Sequence, residues 1–358
     1  MFVKRLTLSF LLAGVLTFLV ISGSEARQIH RVTTGENLCR IAAQYGTAVD
    51  KLAVLNNLEN PNLIYAGQVL VVPILRPQDA EKDPEPIHSG GPMETVAKAM
   101  GSPVVNQPPV ARQPPIPQMA ATSPTPAERN LTRLLKDHPS DFASRGPSEL
   151  KQAALTFDDG PDDRHTPMIL DILHRERVRA TFFLIGNRVA KHPDVVKRLL
   201  AEGHVIGNHS WSHPNFLTLS PEGVRSQICR TEQEIFALTG KRTALFRPPY
   251  GYLSEENLKT LVAMGYKSIY WSADSLDWQH RDADQVLIHV LTATRRGSII
   301  LMHSAGGTDG DLNAAAAALP DLVYTLRVQG YSFVTVDELL GSPAYRDQAG
   351  KCVESGEK

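Results

Sequence analysis

The stretch TFDDGPDD at residues 156–163 places four carboxylates directly after the apolar run at 153–155. The apolar run predicts a buried strand, and the glycine and proline that follow predict a turn that ends it. Adjacent carboxylates at the end of a buried strand repel each other and lose hydration, so they need positive partners. For Asp158 and Asp159 we expect a cation and a basic side chain from elsewhere in the chain. The last two aspartates are expected to lie in a solvated turn.

This strand is the first of seven short apolar runs in the larger, C-terminal part of the chain. They lie at residues 154–157, 180–184, 204–207, 244–246, 267–271, 298–302 and 331–336. Helical spacing of apolar residues occurs between them, at 168–175, 189–202, 221–238 and 284–294. Alternating strands and helices predict a parallel α/β architecture, either a barrel or an open sheet. In both, functional residues collect at the carboxyl ends of the strands.

Ionisable or turn-forming residues follow five of the seven predicted strands. The segments are TFDDG at 156–160, HSWSH at 209–213, RPPYG at 247–251, DSLDW at 274–278 and LMH at 301–303. One carboxylate with His209 and His213 makes an oxygen-and-nitrogen ligand set that suits Zn²⁺, and the same ligands accept Co²⁺ or Ni²⁺. A second carboxylate beside the metal could accept a proton from water, and another histidine could protonate a leaving amine. Arg247 is the candidate cation for the remaining carboxylate.

Composition limits the class of function. The chain has 358 residues and a formal net charge of −1, so no overall field favours nucleic acid, and we expect no nucleic-acid partner. It has three cysteines, Cys39, Cys229 and Cys352, too few for a disulfide framework, although a bridge between the last two is conceivable. A monomer is the default expectation.

The N-terminus predicts export. Lys4 and Arg5 precede an apolar stretch at residues 6–21, followed by small residues that end at Ala26. This order is typical of a secretory signal peptide over residues 1–26, and the alternative is an uncleaved N-terminal anchor. In either case we expect the rest of the protein to lie outside the cytoplasm, secreted and associated with the cell wall, with no stable membrane span unless the signal remains uncleaved.

A proline-rich segment at residues 74–126 predicts a semi-extended linker between two folded parts. The part before it, residues 29–73, has the pattern strand, helix, helix, strand, that is βααβ. Its segments VTTGENL at 32–38, IA at 41–42, YGT at 45–47, LN at 55–56 and IYAGQVL at 64–70 resemble a lysin-motif (LysM) module. Members of that family bind glycans that contain N-acetylglucosamine, such as peptidoglycan and chitin. Cys39 departs from the family, which often has an aromatic residue there.

The five segments at the strand ends resemble, in order, the five motifs of the polysaccharide deacetylases, carbohydrate esterase family 4, also called the NodB homology domain. The resemblance covers residues 150–340 and implies a distorted (β/α)7-type barrel that removes acetyl groups with a divalent metal, usually zinc. It implies metal ligands at Asp159, His209 and His213. It also implies roles for seven further residues: Asp158 as general base, Arg247 orienting it, His303 as general acid, Asp277 tuning that histidine, the backbone N–H of Tyr250 stabilising the oxyanion, and Leu301 and Trp278 walling the acetyl pocket.

The sequence therefore predicts a secreted, metal-dependent deacetylase of amino-sugar polymers, with peptidoglycan N-acetylglucosamine as the first candidate substrate. Chitin or chitooligosaccharide is the second. An acetylxylan esterase and a non-catalytic glycan-binding wall protein are the remaining alternatives. In this interpretation the LysM module holds the enzyme on its polymer through the linker and takes no part in the chemistry.

Overall fold

A computed structural model describes residues 26–74, 126–280, 282–306 and 311–347. The predicted signal sequence up to residue 25, the linker between 75 and 125, and Cys352 lie outside these residues. Cys39 is a free, exposed thiol. Within the described ranges, no helix has both the length and the apolar character needed to cross a membrane.

The N-terminal part has the predicted βααβ order. Its elements are β1 (Arg27–Arg31), α1 (Leu38–Gln44), α2 (Val49–Leu55) and β2 (Val69–Pro73). The side chain of Asn37 caps α1 by accepting a hydrogen bond from the backbone N–H of Arg40 at 2.9 Å. β1 and β2 pair antiparallel, and both helices pack on one face of this two-stranded sheet through an apolar cluster that includes Ile41, Leu52 and Leu70.

The C-terminal part alternates strands and helices from residue 126 to residue 346. The elements before the middle of this part are α3 (Pro126–Asp137), β3 (Phe142–Ala143), β4 (Gln152–Asp158), α4 (His165–Glu176), β5 (Thr181–Leu184), α5 (Gly186–Val189), α6 (Pro193–Ala201), β6 (Val205–Asn208), α7 (Pro221–Thr239), β7 (Arg242–Thr243) and β8 (Leu245–Phe246). The elements after it are α8 (Glu255–Ala263), β9 (Lys267–Ile269), β10 (Ala273–Asp274), α9 (Ala283–Ala293), β11 (Ser298–His303), α10 (Asn313–Val328), β12 (Ser332–Phe333), α11 (Val336–Leu340) and β13 (Tyr345–Arg346).

Nine strands of this part form one sheet in the order β10-β11-β4-β5-β6-β8-β9-β3, with β12 also pairing with β4. Every strand pair in that sheet is parallel. The predicted α/β class, a distorted (β/α)7-type arrangement with a βααβ module, is confirmed. The central strand β4 is buried along almost all of its length, because helices and strands cover both of its faces.

Two local predictions were wrong for identifiable reasons. The single helix predicted at 189–202 is two helices, because Pro193 occupies the first turn of α6 and disfavours helical geometry in the residue before it. The strand predicted at 331–336 is confined to Ser332–Phe333. Thr335 and Glu338 form a capping box that starts α11 at Val336, so the backbone turns helical at the predicted end of the strand.

Candidate active site

The register of the parallel sheet brings the predicted motifs to one edge. Asp158, the last residue of β4, is the Cα partner of His303, the last residue of β11. Asn208, at the end of β6, is the partner of Phe246 at the end of β8. The segments that begin with His209 and Arg247 therefore leave the sheet side by side. A parallel sheet places all of its carboxyl ends on the same edge, so residues far apart in sequence meet there.

Asp159, His209 and His213 form a cluster in which one ligand atom from each residue lies within 4.8 Å of the others. The Oδ1 atom of Asp159 is 3.5 Å from Nε2 of His209 and 3.3 Å from Nε2 of His213. The two imidazole rings are 5.0 Å apart between centroids. These are the three metal ligands predicted from the sequence, and the structure brings all three together.

The donor set fits a divalent metal. Asp159 Oδ1 is buried and has no hydrogen-bond partner, which is costly for a carboxylate unless a cation lies beside it. The Nδ1 atom of His209 lies 2.7 Å from the carbonyl oxygen of Arg247 and donates to it, which leaves the lone pair of Nε2 directed towards Asp159. One oxygen and two imidazole nitrogens suit zinc and also accept cobalt or nickel.

The protonation states agree with ligation. Burial, together with the charge of His209, lowers the pKa of His213 to about 4, so this imidazole is neutral near pH 7 and can ligate. Burial acts to raise the pKa of Asp159. The neighbouring imidazoles, His209 first and then His303 and His213, outweigh burial and hold that pKa well below its ordinary range. Asp159 is therefore ionised at neutral pH.

The backbone of the site is held in an uncommon conformation. Seven non-glycine residues among those described have positive φ, and five of them lie in the motifs at this edge. These five are Asp159, Ser210, His213, Tyr250 and Leu276, with φ between 52° and 71°. Left-handed geometry in non-glycine residues is costly and persists where the surrounding structure enforces it. Its concentration here indicates that the orientation of the ligands is imposed by the fold.

Asp158 and Arg247 form a buried ion pair. Arg247 is fully buried, and its Nη1 donates to Oδ1 of Asp158 at 2.8 Å and to Oγ1 of Thr156 at 2.7 Å. Its Nε and Nη2 donate to the carbonyl oxygens of Ile269 and Tyr270. Burial lowers the pKa of Arg247, and the charge of Asp158 opposes that change. The second oxygen of Asp158, Oδ2, lies 3.8 Å from Nε2 of His209, on the side of the metal cluster.

Asp277 and His303 form a second ion pair at the same edge of the sheet. The Nδ1 atom of His303 lies 2.7 Å from Oδ1 of Asp277, and its backbone N–H donates to Oδ2 at 2.8 Å. Burial alone would lower the pKa of His303. The charge and hydrogen bond of Asp277, and then the charges of Asp159 and Asp158, outweigh burial and raise that pKa to about 10. His303 is therefore protonated, with Nε2 as the ring nitrogen that Asp277 leaves available.

The three remaining predicted residues line the same edge. Tyr250 lies in a short 3₁₀ turn, is 62% exposed and places its ring 4.5 Å from that of His213. Leu301 lies two residues before His303 on β11, so both side chains point to the same face of the sheet. Leu301 is buried, whereas Trp278, next to Asp277, is 54% exposed.

Comparisons with known proteins agree with this geometry. Residues 145–269 match the family model for polysaccharide deacetylase, and residues 30–73 match the LysM domain. A peptidoglycan-N-acetylglucosamine deacetylase from Bacillus cereus is 41% identical over 198 residues, which cover 55% of this chain and 71% of that protein. The chain belongs to the polysaccharide deacetylase family.

Two other relatives and one solved structure extend this result. The peptidoglycan-N-acetylglucosamine deacetylase PgdA of Listeria monocytogenes is 43% identical over 191 residues, 53% of this chain and 39% of that protein. The peptidoglycan-N-acetylmuramic acid deacetylase PdaA of Bacillus subtilis is 33% identical over 221 residues, 61% of this chain and 81% of that protein. A crystal structure of a peptidoglycan N-acetylglucosamine deacetylase with a bound N-oxidanyl-benzamide compound aligns with a TM-score of 0.58 and 39% identity, covering 60% of this chain and all of that chain.

Three residues that support the deacetylase site were not singled out by the sequence. Thr156 accepts a hydrogen bond from Arg247 and donates to the carbonyl oxygen of Ile300 at 2.6 Å. Ser304 donates from its backbone N–H and its hydroxyl to the carbonyl oxygen of Asp158. Thr156 lies inside one of the five motifs, and Ser304 directly follows another. Their contacts could not be predicted, because they depend on the register between β4 and β11.

Gly306 is the third. It has φ +87°, and a Cβ atom there would lie 2.9 Å from Oδ2 of Asp159. The absence of a side chain thus allows the ligand carboxylate to occupy its place. The sequence pattern gives no sign of this role, because Gly306 lies beyond the last quoted motif.

Gly306→Ala is expected to weaken zinc binding by about 10- to 100-fold, the range typical for residues that orient a metal ligand. The matched control is Gly35→Ala, because Gly35 has φ +88° but no atom within 4 Å of the added Cβ. Both substitutions carry the same backbone cost of about 1–2 kcal/mol, so the difference between them isolates the contact with Asp159. Competitive titration with a chromogenic zinc chelator measures it. Equal zinc affinity in the two variants would show that Gly306 does not position the ligand.

The end of the opening motif differs from the prediction of a solvated turn. Asp162 accepts hydrogen bonds through Oδ1 from the backbone N–H groups of Arg164 and Thr166, and its Oδ2 lies 3.0 Å from Nδ1 of His165. His165 is buried, with 4% of its surface exposed. Asp162 thus stabilises the start of α4, whereas Asp163 is exposed as predicted.

Proposed function

We propose that this protein is a secreted, metal-dependent deacetylase that hydrolyses the N-acetyl group of N-acetylglucosamine in peptidoglycan. The main support is the three-ligand cluster with an unpartnered carboxylate oxygen, which lies at the same sheet edge as the Asp158–Arg247 and Asp277–His303 ion pairs. The reaction adds water to the acetamide carbonyl, breaks the bond between carbon and nitrogen, and releases acetate and a free amine.

Asp159, His209 and His213 would hold the metal, which, when bound, polarises the substrate carbonyl and acidifies water. Asp158 would act as general base. Arg247 engages its Oδ1 from a fully buried position, which leaves Oδ2 to accept the proton of the attacking water. Arg247 thereby fixes the orientation of this carboxylate.

His303 would act as general acid. Its Nδ1 is held by Asp277, so Nε2 is the atom that can deliver a proton to the leaving nitrogen. The backbone N–H of Tyr250 would stabilise the negative charge that develops on the carbonyl oxygen. The proximity of Tyr250 to His213 supports this role, since it places the turn beside the metal ligands. Leu301 and Trp278 would wall the pocket for the acetyl methyl group.

Peptidoglycan is the favoured polymer because the relatives named above are peptidoglycan deacetylases. The N-acetylglucosamine enzymes among the relatives reach 40–43% identity, against 33% and 38% for the N-acetylmuramic acid enzymes PdaA and PdaC. The LysM match supports a glycan that contains N-acetylglucosamine. Chitin is the second candidate, since a chitin deacetylase from Colletotrichum lindemuthianum aligns with a TM-score of 0.52 and 28% identity.

The residues of the site, and not the fold alone, support catalytic activity. A family pseudoenzyme from Bacillus anthracis also aligns, with a TM-score of 0.52 and 31% identity, so the fold is compatible with loss of activity. In this chain the three candidate metal ligands lie together and both ion pairs are formed. The export signal predicted for residues 1–26 and the substrates named for the relatives support a location at the cell wall.

The deciding experiment is acetate release by the mature full-length protein from peptidoglycan and from chitooligosaccharides, with zinc and with chelator. We expect release that requires zinc, and the better substrate identifies the polymer. Mass spectrometry of digested peptidoglycan then distinguishes deacetylated N-acetylglucosamine from deacetylated N-acetylmuramic acid. Absence of release from both polymers, in protein that binds zinc and is folded, would refute the proposal and leave the esterase and non-catalytic alternatives.

Asp277→Asn is expected to move the alkaline limb of the kcat profile to lower pH. The general acid must be protonated, so activity falls as the pH rises through the pKa of His303. Asp277 raises that pKa, and removing its charge lowers it again, by about 1–3 units for a direct charge pair. The charge of Asp159 also raises the pKa of His303, and a zinc ion bound to Asp159 would cancel that contribution. We therefore expect the alkaline limb of the zinc-loaded enzyme to lie below pH 10.

The control for this prediction is Asp282→Asn, which removes one negative charge from the same segment while asparagine still caps α9. The measurement is kcat against pH with saturating oligosaccharide for wild type and both variants. An alkaline limb that does not move in Asp277→Asn would mean that His303 is not the titrating acid.

A further inference from the structure

The strand β2 is buried on both faces, although the module has helices on only one. Leu70 and Val72 point into the module's own core. Val69 and Val71 point the other way and lie in the main apolar cluster of the catalytic part, with Leu291 of α9 and others. Both valines are fully buried. The face of the module's sheet that its own helices leave open is therefore covered by the catalytic part.

Hydrogen bonds connect the same two surfaces. The backbone N–H of Val69 donates to Oγ1 of Thr325 on α10 at 3.0 Å. Asn57, which has φ +54°, donates from Nδ2 to the carbonyl oxygens of Leu291 and Thr294 at the end of α9. Carbonyls at a helix C-terminus lack intrahelical partners, so this asparagine of the module caps a helix of the catalytic part.

A second group of polar contacts surrounds these. The hydroxyl of Tyr324 donates to the carbonyl oxygen of Ala66 at 2.6 Å. Glu59 of the module pairs with Arg296 at 2.7 Å and with Lys151 at 3.2 Å. Exposed ion pairs contribute little stability, but contacts spread over α10 and the two loops that contain Lys151 and Arg296 specify a single orientation of the module.

We propose that the LysM module docks on α9 and α10 through the open face of its β1–β2 sheet and is a fixed part of the catalytic unit. Residues 26–74 and the described residues from 126 onward accordingly cluster as one compact unit. The two loops of the module at residues 33–37 and 60–66 remain mostly exposed, so docking leaves them open to a polymer. A glycan bound there is held at a fixed distance and angle from the metal site, instead of on a free tether. The docking itself does not depend on the proposed deacetylase function.

Carbodiimide crosslinking of the full-length protein tests this arrangement. The reagent joins an amine and a carboxylate in direct contact, and Lys151 and Glu59 form such a pair between the two parts. We expect a crosslink between them in wild type, identified by mass spectrometry. Lys259 and Glu255, 2.9 Å apart within α8, report that the reaction has worked. Formation of the α8 crosslink without the Lys151–Glu59 crosslink in wild type would overturn the proposal.

Two variants with matched controls make the result specific. Val71→Asp places a charge in the buried interface and is expected to reduce the crosslink to background, whereas Val54→Asp, at a position 76% exposed, leaves it unchanged. Because Val71→Asp could unfold the module, Asn57→Asp is the second variant. It is nearly isosteric and directs a carboxylate at the carbonyls of α9, and the exposed Asn62→Asp is its control.

Small-angle scattering of the same proteins gives an independent readout. We expect a larger radius of gyration in Val71→Asp and Asn57→Asp than in wild type and both controls. An equal radius in all five proteins, with equal crosslink yields, would show that the interface does not hold the module.

Discussion

Asp158→Asn is expected to lower kcat for acetate release by about 10²- to 10⁴-fold, the range typical of a lost general base. The amide is close to isosteric with the carboxylate, but it cannot accept a proton from water at the position of Oδ2. Zinc binding is expected to persist, since the ligand cluster consists of Asp159, His209 and His213. Acetate release and zinc content, both measured on zinc-loaded protein, give the two readouts.

The same substitution has a cost for the fold. Arg247 is fully buried, and Asp158 is the only carboxylate that pairs with it among the residues that the structure describes. Breaking a buried ion pair by removing one partner costs about 3–5 kcal/mol, so the melting temperature must be measured beside kcat. Asp163→Asn in the same loop is the control, because Asp163 is exposed. Near wild-type kcat in zinc-loaded Asp158→Asn would show that another group accepts the proton.

The sequence predicted which residues form the site, because the apolar runs show where strands end and a parallel sheet brings those ends to one edge. The apolar run before Asp158 and the run before His303 were both recognised, and the sheet pairs their last residues directly. The order of motifs then identified the family.

Contacts that depend on register or on space could not be predicted. Ser304 and Thr156 bond across the pairing of β4 and β11, and nothing in their local sequence reports the partner strand. Gly306 is important because it has no side chain, which leaves room for the carboxylate of Asp159. His165 is buried because Asp162 and the N–H of Leu312 bond its two ring nitrogens, a tertiary contact that helical spacing does not show.

The position of the LysM module was also missed, although a signal existed. The segment VLVV of β2 is apolar on both faces, whereas a two-stranded sheet covered on one face by helices needs only alternate apolar residues. The proline-rich segment predicted a tether, and tethering alone would leave Val69 and Val71 exposed. Their burial against α9 and α10 accounts for the continuous run.

Docking changes how a deletion experiment should be interpreted. A chain without residues 27–73 loses its glycan-binding module and also uncovers apolar residues of α9 and α10 that Val69 and Val71 cover. Loss of activity on polymer and on short oligomers alike would then follow from instability. Asn57→Asp separates these effects, because it weakens docking without removing the module.

Arg247→Met is expected to destabilise the protein by about 3–5 kcal/mol, because it leaves the buried carboxylate of Asp158 without its cation. The methionine keeps an apolar chain beside Phe183, whose ring centroid lies 4.2 Å from the guanidinium carbon. It removes the donors to Asp158, Thr156 and the carbonyl oxygen of Tyr270. At about 2–4 °C per kcal/mol for a domain of this size, the melting temperature should fall by about 6–20 °C.

Adding zinc tests whether the lost positive charge is the cause of the lower stability of Arg247→Met. A divalent cation in the Asp159 cluster also lies near Asp158, whose Oδ2 faces His209, so it replaces part of the lost positive charge. We therefore expect zinc to raise the melting temperature of Arg247→Met by more than it raises that of wild type. Arg247→Lys keeps the positive charge but loses the planar guanidinium, so its zinc-induced increase in melting temperature should lie between those of wild type and Arg247→Met.

The control is Arg225→Met, at an exposed position of α7. It should melt within about 1–2 °C of wild type, because isolated surface substitutions change stability by about 0.5 kcal/mol or less. An equal zinc effect in wild type and Arg247→Met would mean that Arg247 supports the fold by packing and hydrogen bonding, and not by neutralising Asp158.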